Sequence, residues 1–544
     1  AAAGSPPEAP PVPRQAAMVI GSGPVRIGQG IEFDYCAVRA AERLTERGWS
    51  AVMVNSNPET VSTDFDASTR LYFEPLDAES IMEIVRAESP DGETTLPAFV
   101  QFGGQTPLNL AAPLAAAGVP LLGASLEAID ETEDRVRFAA LLDRLGILQP
   151  EGGLARSRQE AIDLVERIGY PVIVRPSYVI GGLAIDFAYS LPDLERQLDR
   201  IGEIGDGRPL RIDRFLEGIE IDIDAVTDGE TVLIPGLLEH VELAGVHSGD
   251  SIAVYPPQRL SAAKQEELAG IFMRLVREIG VRGLVNAQFI VREEGIYLIE
   301  VNPRASRTVP FMSKVTGIPM VPLAVDIALG DTLASKGYAS GIASAPNGVA
   351  VKAPAFSTAK LRGVDPTLGP FMQSTGEVIG LGLTAEEALG KALIAANLLP
   401  PPPRDPQRIA LLSIADRDKH LLARLATPLL AAGYELVATP GTRTALAGLG
   451  ITAGTAHPLG DQGRDGAPGI ADLIRSGAVA LVVNTPSMAT GALRDALEIR
   501  LAAVEYGVLC LTAMETAVAS AEALSVRASM SGVSLNPIGV HGLR

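Results

Sequence analysis

The segment NAQFIVREEGIYLIEVN, residues 286–302, constrains the fold of this chain more strongly than any other stretch. Apolar residues alternate with polar ones on both sides of residues 293–295, which predicts a β-hairpin with a three-residue loop closed by Arg292 and Ile296. Such a hairpin brings polar residues from the two ends of the segment to one place on a sheet.

In this register Gln288 lies directly opposite Glu300, with Cβ atoms roughly 5 Å apart. Asn302 is two residues further along and points to the same face as Glu300. A carboxylate flanked by two amide oxygens suits Mg²⁺ or Mn²⁺, which are hard cations that share their coordination shell with substrate phosphates. The same pattern is also that of an ordinary polar sheet face, and the hairpin alone does not decide between the two interpretations.

The whole chain of 544 residues is predicted to be an α/β protein of several domains. Residues 1–17 are rich in Ala and Pro and are expected to form a disordered linker. Strands alternating with helices predict a doubly wound, Rossmann-like parallel domain over residues 18–125. Residues 126–398 are richer in hairpins, and LPPPPRDP at 399–406 is a Pro-rich linker to a second α/β unit over residues 407–544.

Charge and cysteine content narrow the class of protein. The 45 basic and 65 acidic residues give a net charge of −20, which argues against binding to nucleic acid or to anionic membranes. Cys36 and Cys510 lie far apart and outside any CxxC motif, so we expect a reducing, cytoplasmic location without a zinc site or disulfide framework. No apolar run approaches the ~20 residues that a membrane-spanning helix needs.

Several motifs upstream of the hairpin are suited to holding phosphates. Arg135 begins a predicted helix and Arg175 ends a predicted strand, and arginine offers a planar fork that matches phosphate oxygens. The pair Gly181-Gly182 at a hairpin tip would let backbone amides approach a phosphate closely. Taken singly, each arginine is better explained as a surface residue, and the glycine pair is explained equally well as a plain hairpin turn.

Carboxylates and a second arginine pair complete the pattern. Glu220 alternates with Asp222 and Asp224 along one strand face, where a carboxylate can bind ribose hydroxyls or simply form a polar edge. His247 in AGVHSGDS is compatible with a catalytic role and also with a purely structural one. Arg304 and Arg307 follow the acidic hairpin directly, where cations are costly unless an anion binds them. Together these residues predict a metal and arginine clamp suited to phosphoryl transfer.

The motifs of this chain, taken together, resemble those of a known family. The order of RPSYVIGG, AGVHSGDS, NAQF and EVNPRASRTVPF is similar to that in ATP-grasp enzymes, and GQGIEFDY, NPETVSTD and QFGGQTP narrow the resemblance to carbamoyl phosphate synthetases. The chain resembles the C-terminal half of the family's large subunit followed by its allosteric domain. This resemblance implies a pre-ATP-grasp domain, an ATP-grasp domain with a C-terminal lobe, and a methylglyoxal-synthase-like domain within the boundaries given above.

The resemblance also implies an activity. It is the ATP-dependent phosphorylation of carbamate, the last step of carbamoyl phosphate synthesis for pyrimidine and arginine biosynthesis. A glutamine amidotransferase small subunit and the carboxyphosphate-forming half would be the partners, because the chain shows one ATP site and no glutaminase motif. Two alternatives stay open: another ATP-grasp ligase that joins a carboxylate to an amine, and a nucleotide-binding regulatory module without turnover.

Site residues follow from the resemblance position by position. ATP would be held by Arg135, Arg175, Gly181, Gly182, Leu216, Glu220, Gly245, Val246, His247 and Ser248. Two Mg²⁺ or Mn²⁺ ions would be bound by Gln288, Glu300 and Asn302. Arg304 would contact the transferred phosphoryl group, with help from Arg307.

The C-terminal domain would bind a nucleotide effector. A nucleotide monophosphate would be held there by Ser413, Lys419, Thr439, Thr442 and Asn484. The chain departs from the family pattern at Pro458 and Pro486, where a Lys and a Thr are expected. An ornithine activator pocket would be formed by His240, Glu242 and Asp250, but Val351-Lys352-Ala353 departs from the Val-Lys-Glu expected beside it.

Overall fold

Four sheets organise the part of the chain that the structure describes, and two of them meet around one deep cleft. The computed structural model of the protein describes residues 10–13, 15–26, 30–89, 96–176, 186–201, 209–357, 363–457, 469–485 and 492–529. The predicted glycine pair 181–182 and the departures at 458 and 486 therefore lie outside the described residues, as do residues 1–9 of the predicted linker.

The first sheet is the predicted parallel one, with strand order β3-β2-β1-β4-β5. Its central strand AAMVI is buried along its whole length, as is typical of a parallel sheet covered on both faces. The strand begins at Ala16, so the sheet reaches into the predicted linker. The elements are β1 Ala16–Ile20, α1 Glu32–Glu46, β2 Ser50–Val54, β3 Arg70–Tyr72, α2 Ala78–Glu88, β4 Ala98–Phe99, α3 Gln105–Leu108, α4 Ala111–Ala116 and β5 Leu121–Leu122.

A small four-stranded antiparallel sheet follows, in the order β6-β9-β7-β8, with its own apolar core. Two helices precede it, and the first turn of the second is capped by Asp134, which accepts from the amides of Val136 and Arg137. The elements are α5 Leu126–Glu133, α6 Arg135–Leu145, β6 Gly152–Ala155, α7 Arg158–Ile168, β7 Val172–Pro176, β8 Asp186–Ala188, α8 Leu191–Ile201 and β9 Leu210–Arg214.

The largest sheet has nine strands and runs β15-β14-β10-β12-β13-β17-β18, with β11 and β16 attached beside β10. One of its faces forms the floor of the cleft. Its elements are β10 Ile219–Thr227, β11 Val232–Ile234, β12 Leu237–Leu243, β13 Ala253–Tyr255, α9 Ala262–Ile279, β14 Gly283–Val291, β15 Ile296–Asn302, α10 Val309–Thr316, α11 Met320–Ala328, β16 Gly341–Ile342, β17 Val349–Ala355, β18 Gly376–Gly382 and α12 Ala385–Ala395.

The last sheet is again parallel, in the order β21-β20-β19-β22-β23. Its elements are β19 Ile409–Ser413, α13 Leu422–Ala431, β20 Glu435–Ala438, α14 Pro440–Gly448, β21 Gly454–Thr455, α15 Ile470–Arg475, β22 Val479–Asn484, α16 Ala492–Glu505, β23 Leu509–Leu511 and α17 Met514–Ser529. Three short 3₁₀ helices, Val61–Thr63, Ala334–Lys336 and Asp416–Leu421, complete the described secondary structure.

The Pro-rich segment 399–406 does not separate two hydrophobic cores. A single buried cluster contains β17 and α12 on one side of the segment and β19, α13 and α17 on the other. Leu398 and Leu399 at the start of the segment belong to this cluster. The C-terminal α/β unit is therefore packed onto the nine-stranded sheet rather than tethered to it.

Membrane-spanning segments were searched for among the same described residues. No single helix there combines the length and apolar character needed to cross a bilayer. The consecutive helices α10 and α11 pass that test only as a pair, by length and composition, with a bend of 107° between them.

Candidate active site

The floor of the cleft is built by three adjacent antiparallel strands, β10, β14 and β15. Strand register places Asp222 beside Gln288 and Asp224 beside Asn286. On the other side of β14, Gln288 pairs with Glu300 and Asn286 with Asn302. Side chains with this spacing share one sheet face, so a grid of carboxylates and amides lies under the cleft.

The predicted pairing of Gln288 with Glu300 is confirmed, but the predicted loop is wrong. Val291 pairs with Ile296, and the Arg292 amide donates to the Gly295 carbonyl at 2.9 Å, so the turn is one residue tighter than predicted. A register shift between Gln288 and Phe289 then restores the predicted partners. The extra residue is Ile299, because a β-bulge places two residues of one strand opposite one of the other.

The proposed metal ligands form a continuous row of oxygens at the edge of this floor. Asn302 Nδ2 donates to Glu300 Oε1 at 3.1 Å, and Asn302 Oδ1 accepts from Arg304 Nη2 at 3.1 Å. Glu300 is exposed to the cleft. Among the described residues there is no cluster of three or more His, Cys, Asp or Glu that could hold a metal by itself. One carboxylate with two amides fits a divalent ion that takes its remaining oxygens from phosphates.

Arg304 and Arg307 connect this row to the first domain. Arg304 Nε donates to Gln105 Oε1 at 3.3 Å, and its guanidinium lies 5.9 Å from the ring centre of Phe33. Arg307 forms a two-point ion pair with Glu32 at 3.2 and 3.0 Å. Both partners of the arginines, Glu32 and Phe33, begin α1, so the first domain closes one end of the cleft.

Opposite the floor, three arginines converge on the cleft. Burial lowers the pKa of the Arg135 guanidinium, and the nearby charges of Arg211 and Arg175 lower it further. The buried Nε of Arg175 has no hydrogen-bond partner among the described residues. Among the described residues, Arg211 is the one of the three that forms an ion pair, at 2.7 Å from Asp213. Like charges held together with so few acceptors form a site for an anion such as a polyphosphate.

An apolar slot lies at the other end of the cleft. It contains the buried residues Phe215, Leu216, Ala244 and Ile290, with the bulged Ile299 packed against them. Phe187 meets Phe215 edge-on with ring centres 5.0 Å apart. Gly245 adopts φ +118°, and a Cβ there would come within 3.3 Å of both rings. A slot of this shape accepts a flat, mostly apolar ring such as a nucleobase. The whole cleft has a volume of about 570 Å³.

The loop from Gly245 to Ser248 is fixed by backbone contacts. The His247 amide donates to the Gly369 carbonyl at 2.8 Å, and Lys352 Nζ donates to the Ser248 carbonyl at 2.9 Å. His247 Nδ1 accepts from the Gly249 amide at 3.0 Å. Burial lowers the pKa of His247, which favours the neutral imidazole that this contact requires. His247 and Val246 line the cleft, and the ring of His247 has a structural role in shaping the loop.

A buried acidic group lies on β10, within the floor of the cleft. Burial raises the pKa of Glu220 to about 7, although the nearby His240 opposes that shift. Burial alone would lower the pKa of His240, but Glu220 and Asp222 raise it above its ordinary value. His240 Nε2 lies 3.0 Å from Asp222 Oδ2, and contact with His240 lowers the pKa of Asp222 despite burial. His240 and Asp222 therefore form a hydrogen-bonded pair in which each group favours the charged form of the other, with Glu220 beside it.

The residues of the expected activator pocket are already bonded to the protein. Glu242 accepts from the Ile252 amide at 2.8 Å and from Thr516 Oγ1 at 2.6 Å. Asp250 accepts from the amides of Gln373 and Ser374 at 2.7 and 2.8 Å. With Ala353 in place of the expected Glu, this region has one carboxylate fewer for an ornithine ammonium group.

The C-terminal candidate residues gather at the carboxyl ends of β19, β20 and β22. Ser413 and Asn484 are cross-strand partners, and Thr439 Oγ1 lies 3.1 Å from Thr442 Oγ1. Thr442 also accepts from the Ile414 amide at 2.9 Å. Lys419 is paired with Asp416 at 2.5 Å and lies close to Gly441. Ligands commonly bind at this edge of a parallel sheet.

Sequence reasoning missed three contributors to the cleft. Arg211 lies on β9 in the run RIDRF, where its alternation with Asp213 was a detectable signal. Lys352 interrupts the buried strand VAVKAPA and is only 1% exposed, so an isolated lysine in an apolar run was the clue. Glu32 gave no comparable signal, because only the three-dimensional fold brings it to Arg307.

Family models cover most of this chain. Family models match as the carbamoyl phosphate synthase preATP-grasp domain at residues 13–131, the carbamoyl-phosphate synthase L chain ATP binding domain at 134–336 and the MGS-like domain at 421–512. The carbamoyl phosphate synthase large chain of Thermomicrobium roseum is 50% identical over 519 residues, which are 95% of this chain and 47% of that protein.

Two solved structures share the fold. The biotin carboxylase domain of Hydrogenobacter thermophilus 2-oxoglutarate carboxylase, in complex with MgADP, ADP and bicarbonate, has 19% identity and a TM-score of 0.54, covering 70% of this chain and 89% of its own. Biotin carboxylase from Campylobacter jejuni has 17% identity and a TM-score of 0.53, covering 70% and 91%. At these identities the likeness shows the fold alone.

The fold and the cleft thus define an ATP-grasp protein with an MGS-like C-terminal domain. Within that class, the chain belongs to the carbamoyl phosphate synthase large-chain family. It spans about half the length of the curated relative that it matches.

Proposed function

We propose that this chain phosphorylates carbamate with ATP, yielding carbamoyl phosphate and ADP. The observation that carries the proposal is the row of Gln288, Glu300 and Asn302, which continues directly into Arg304. Such a row places metal-binding oxygens and a phosphate-binding cation around one point, as phosphoryl transfer requires. The MgADP and bicarbonate in the related biotin carboxylase structure support ligands of the same chemistry here.

Substrate positions follow from the chemistry of the walls. We place the adenine in the apolar slot beside Leu216, with Glu220 and the Gly245–Ser248 loop around the nucleoside. The phosphates lie under Arg135 and Arg175, and Arg211 adds a third cation. A divalent ion, or two, held by Gln288, Glu300 and Asn302 would neutralise phosphate charge. Carbamate lies near Arg304 and Arg307, at the end closed by α1.

The reaction needs positioning rather than a covalent enzyme intermediate. A carbamate oxygen attacks the γ-phosphorus in line, a new O–P bond forms, and the bond to the β–γ bridging oxygen breaks, so that ADP leaves with the electron pair. Arg304 binds the transferred phosphoryl oxygens, whose charge is spread widely in the transition state. Arg307 is held by Glu32 and keeps the acceptor end of the cleft in place.

The wider assignment extends the same proposal. We divide the chain into domains 18–125, 126–398 and 407–544, and expect a glutamine amidotransferase small subunit and a carboxyphosphate-forming half as partners. The pathways would be pyrimidine and arginine biosynthesis in the cytoplasm, a location supported by two free cysteines. The C-terminal residues Ser413, Lys419, Thr439, Thr442 and Asn484 would bind a nucleotide effector.

The decisive experiment is formation of ATP from ADP and carbamoyl phosphate. We expect the wild type to catalyse it and Glu300→Gln to lose at least about 100-fold in rate, because an amide cannot replace the charge of a metal-binding carboxylate. Glu294→Gln is the matched control: it lies on the same hairpin, with a side chain that is 62% exposed and paired only with Arg292 among described residues. Its rate should match the wild type.

Two results would point to the alternatives. A folded wild type that binds ADP but forms no ATP would contradict carbamate phosphorylation, and a screen of carboxylates with amines would then test for another ATP-grasp ligase. Failure of both assays with retained nucleotide binding would favour a regulatory module without turnover.

A further inference from the structure

A short segment, residues 363–375, touches two candidate sites at once. We call it the connecting segment. Its first part contacts the C-terminal domain and its second part contacts the walls of the ATP cleft. No described residue of the segment belongs to a named helix or strand, so its position depends on the side chains and amides that hold it.

The first part is held by an ion pair between the buried Arg500 and the partly exposed Asp365. Arg500 Nε and Nη2 donate to the two oxygens of Asp365, each at 2.7 Å. The Arg500 side chain is only 5% exposed. Thr512 adds a second attachment, since its Oγ1 accepts from the Leu368 amide at 3.0 Å. Contact with Arg500 lowers the pKa of Asp365 even though burial opposes it, so the carboxylate is charged at neutral pH.

The second part holds the cleft. The Gly369 carbonyl accepts from the His247 amide at 2.8 Å, within the loop proposed to cover ATP. Gln373 and Ser374 donate their amides to Asp250, at the end of the same loop. Ser374 Oγ lies 3.3 Å from Arg307 Nη1. The segment thus sets the position of both the loop and a proposed catalytic arginine.

We propose that Arg500 is a positioning residue for the ATP cleft, acting through Asp365 and the connecting segment. The inference rests on the proposed function, because it takes the cleft to be an ATP site. Asp365 and Gly369 are only four residues apart in the chain. A displacement of the ion pair therefore also displaces the Gly369 carbonyl, which binds the His247 amide. A bidentate charged pair whose arginine is buried is well suited to hold such a fixed point.

The same guanidinium also reaches the candidate effector site. Arg500 Nη1 donates to Asn484 Oδ1 at 2.8 Å. Asn484 is 1% exposed, and its Nδ2 has no partner among the described residues. A ligand that accepts a hydrogen bond from this amide would shift Asn484 and therefore Arg500. Regulation of the cleft would then act through one arginine with two named partners, Asp365 and Asn484.

The test uses the full chain and measures ADP binding by calorimetry together with KM and kcat in the ADP plus carbamoyl phosphate assay. Arg500→Gln and Asp365→Asn should each raise the Kd and KM for ADP about 5- to 50-fold, the range typical of coupled sites, and change kcat by no more than about twofold. Thr512→Val should act in the same direction more weakly. Thr512→Val keeps all charges and the side-chain shape. It therefore tests the proposal even if Arg500→Gln and Asp365→Asn fail to fold.

Arg424→Gln is the matched control. Arg424 forms a two-point pair with Glu522 at 3.0 and 3.2 Å in the same domain, away from the connecting segment. Its ADP affinity should equal that of the wild type. Unchanged ADP affinity in folded Arg500→Gln and Thr512→Val would overturn the proposal, as would a loss of kcat alone. A wild type that binds ADP without forming ATP would instead contradict the proposed function. The calorimetric comparison of ADP affinities would still decide whether Arg500 positions the cleft.

Discussion

At the scale of single residues, the cleft contains a cluster of like charges that opposes the stability of the fold. Arg135, Arg175 and Arg211 repel one another, and this repulsion lowers the pKa of Arg135 in addition to the effect of burial. Such a cluster opposes the stability of the ligand-free protein, because Asp213 offsets only part of the charge that a bound anion would neutralise. Functional residues of this kind are expected to oppose stability.

Arg135→Gln should therefore separate binding from stability. We expect the thermal midpoint of the ligand-free protein to stay equal or rise slightly, because one repelling charge is removed. Affinity for ADP should fall about 10- to 100-fold, which corresponds to the loss of one charged hydrogen bond. Calorimetric titration with ADP and thermal denaturation of the same preparation measure the two effects.

Arg137→Gln provides the comparison two residues along the same helix. Arg137 pairs with Glu127 and Glu131, each at 2.5 Å, and points away from the cleft. Its replacement should leave ADP affinity unchanged. The interpretation of the arginine cluster as a phosphate site would be wrong if both variants bound ADP equally well.

At the scale of elements, the sequence predicts periodicity better than local irregularity. Alternation correctly placed Gln288 opposite Glu300, because a strand exposes every second residue to one face. The tighter turn and the bulge at Ile299 were not predictable, since both depend on how the strand packs in the sheet. Their effects on register cancel, and the bulge adds Ile299 to the apolar slot.

The sequence patterns did not predict the long-range contacts between elements either. Asp326 on α11 is 3% exposed, and it binds Arg43 of α1 at 2.9 and 2.8 Å and Lys336 at 3.0 Å. Burial opposes ionisation, but these partners lower the pKa of Asp326. This cluster joins the first domain to the nine-stranded sheet. No motif near residue 326 indicated it, because the partners are distant in the chain.

Asp326→Asn should show a stability loss that depends on pH. The folded-state pKa lies below the unfolded value of about 3.9, so the charged carboxylate stabilises the fold above that pH and its contribution disappears as pH falls through the folded pKa. We expect a loss of about 2–4 kcal/mol in unfolding free energy at pH 7. Urea denaturation at pH 7 and at pH values below about 4 measures the change.

The neighbouring Asp331→Asn is the control for that variant. Asp331 shares Arg47 and Lys336 with Asp326, but its side chain is 28% exposed, so the loss should be smaller. An equal loss for Asp326→Asn at both ends of the pH range would mean that packing, rather than charge, sets its contribution.

At the scale of the whole molecule, the C-terminal domain and the nine-stranded sheet share one hydrophobic core, which predicts that they unfold as one cooperative unit. Sequence composition indicated a linker at 399–406, because four prolines interrupt regular structure. Composition cannot show whether the flanking units bury surface against each other. They do so here, since one cluster includes α12, α13 and α17. This shared core also keeps Arg500 in contact with the connecting segment.

Leu425→Ala tests this cooperativity from the C-terminal side. Leu425 on α13 is fully buried in the shared cluster, and its truncation should cost about 2–5 kcal/mol. If the core is shared, hydrogen exchange should accelerate in β17 and β18 as well as in the C-terminal helices, although β17 and β18 precede the linker. Native-state exchange resolved by segment measures this directly.

Leu164→Ala supplies the contrast, because Leu164 packs in the separate core of the four-stranded sheet. Its exchange effect should stay within β6–β9 and their helices and leave β17 protected. Faster exchange confined to the C-terminal helices in Leu425→Ala would show two independent units. The ion pair of Arg500 would then link domains that open separately, and ADP affinity would no longer follow the stability of the C-terminal core. Shared opening requires instead that a variant weakening this core also weakens ADP binding once the open form becomes appreciably populated.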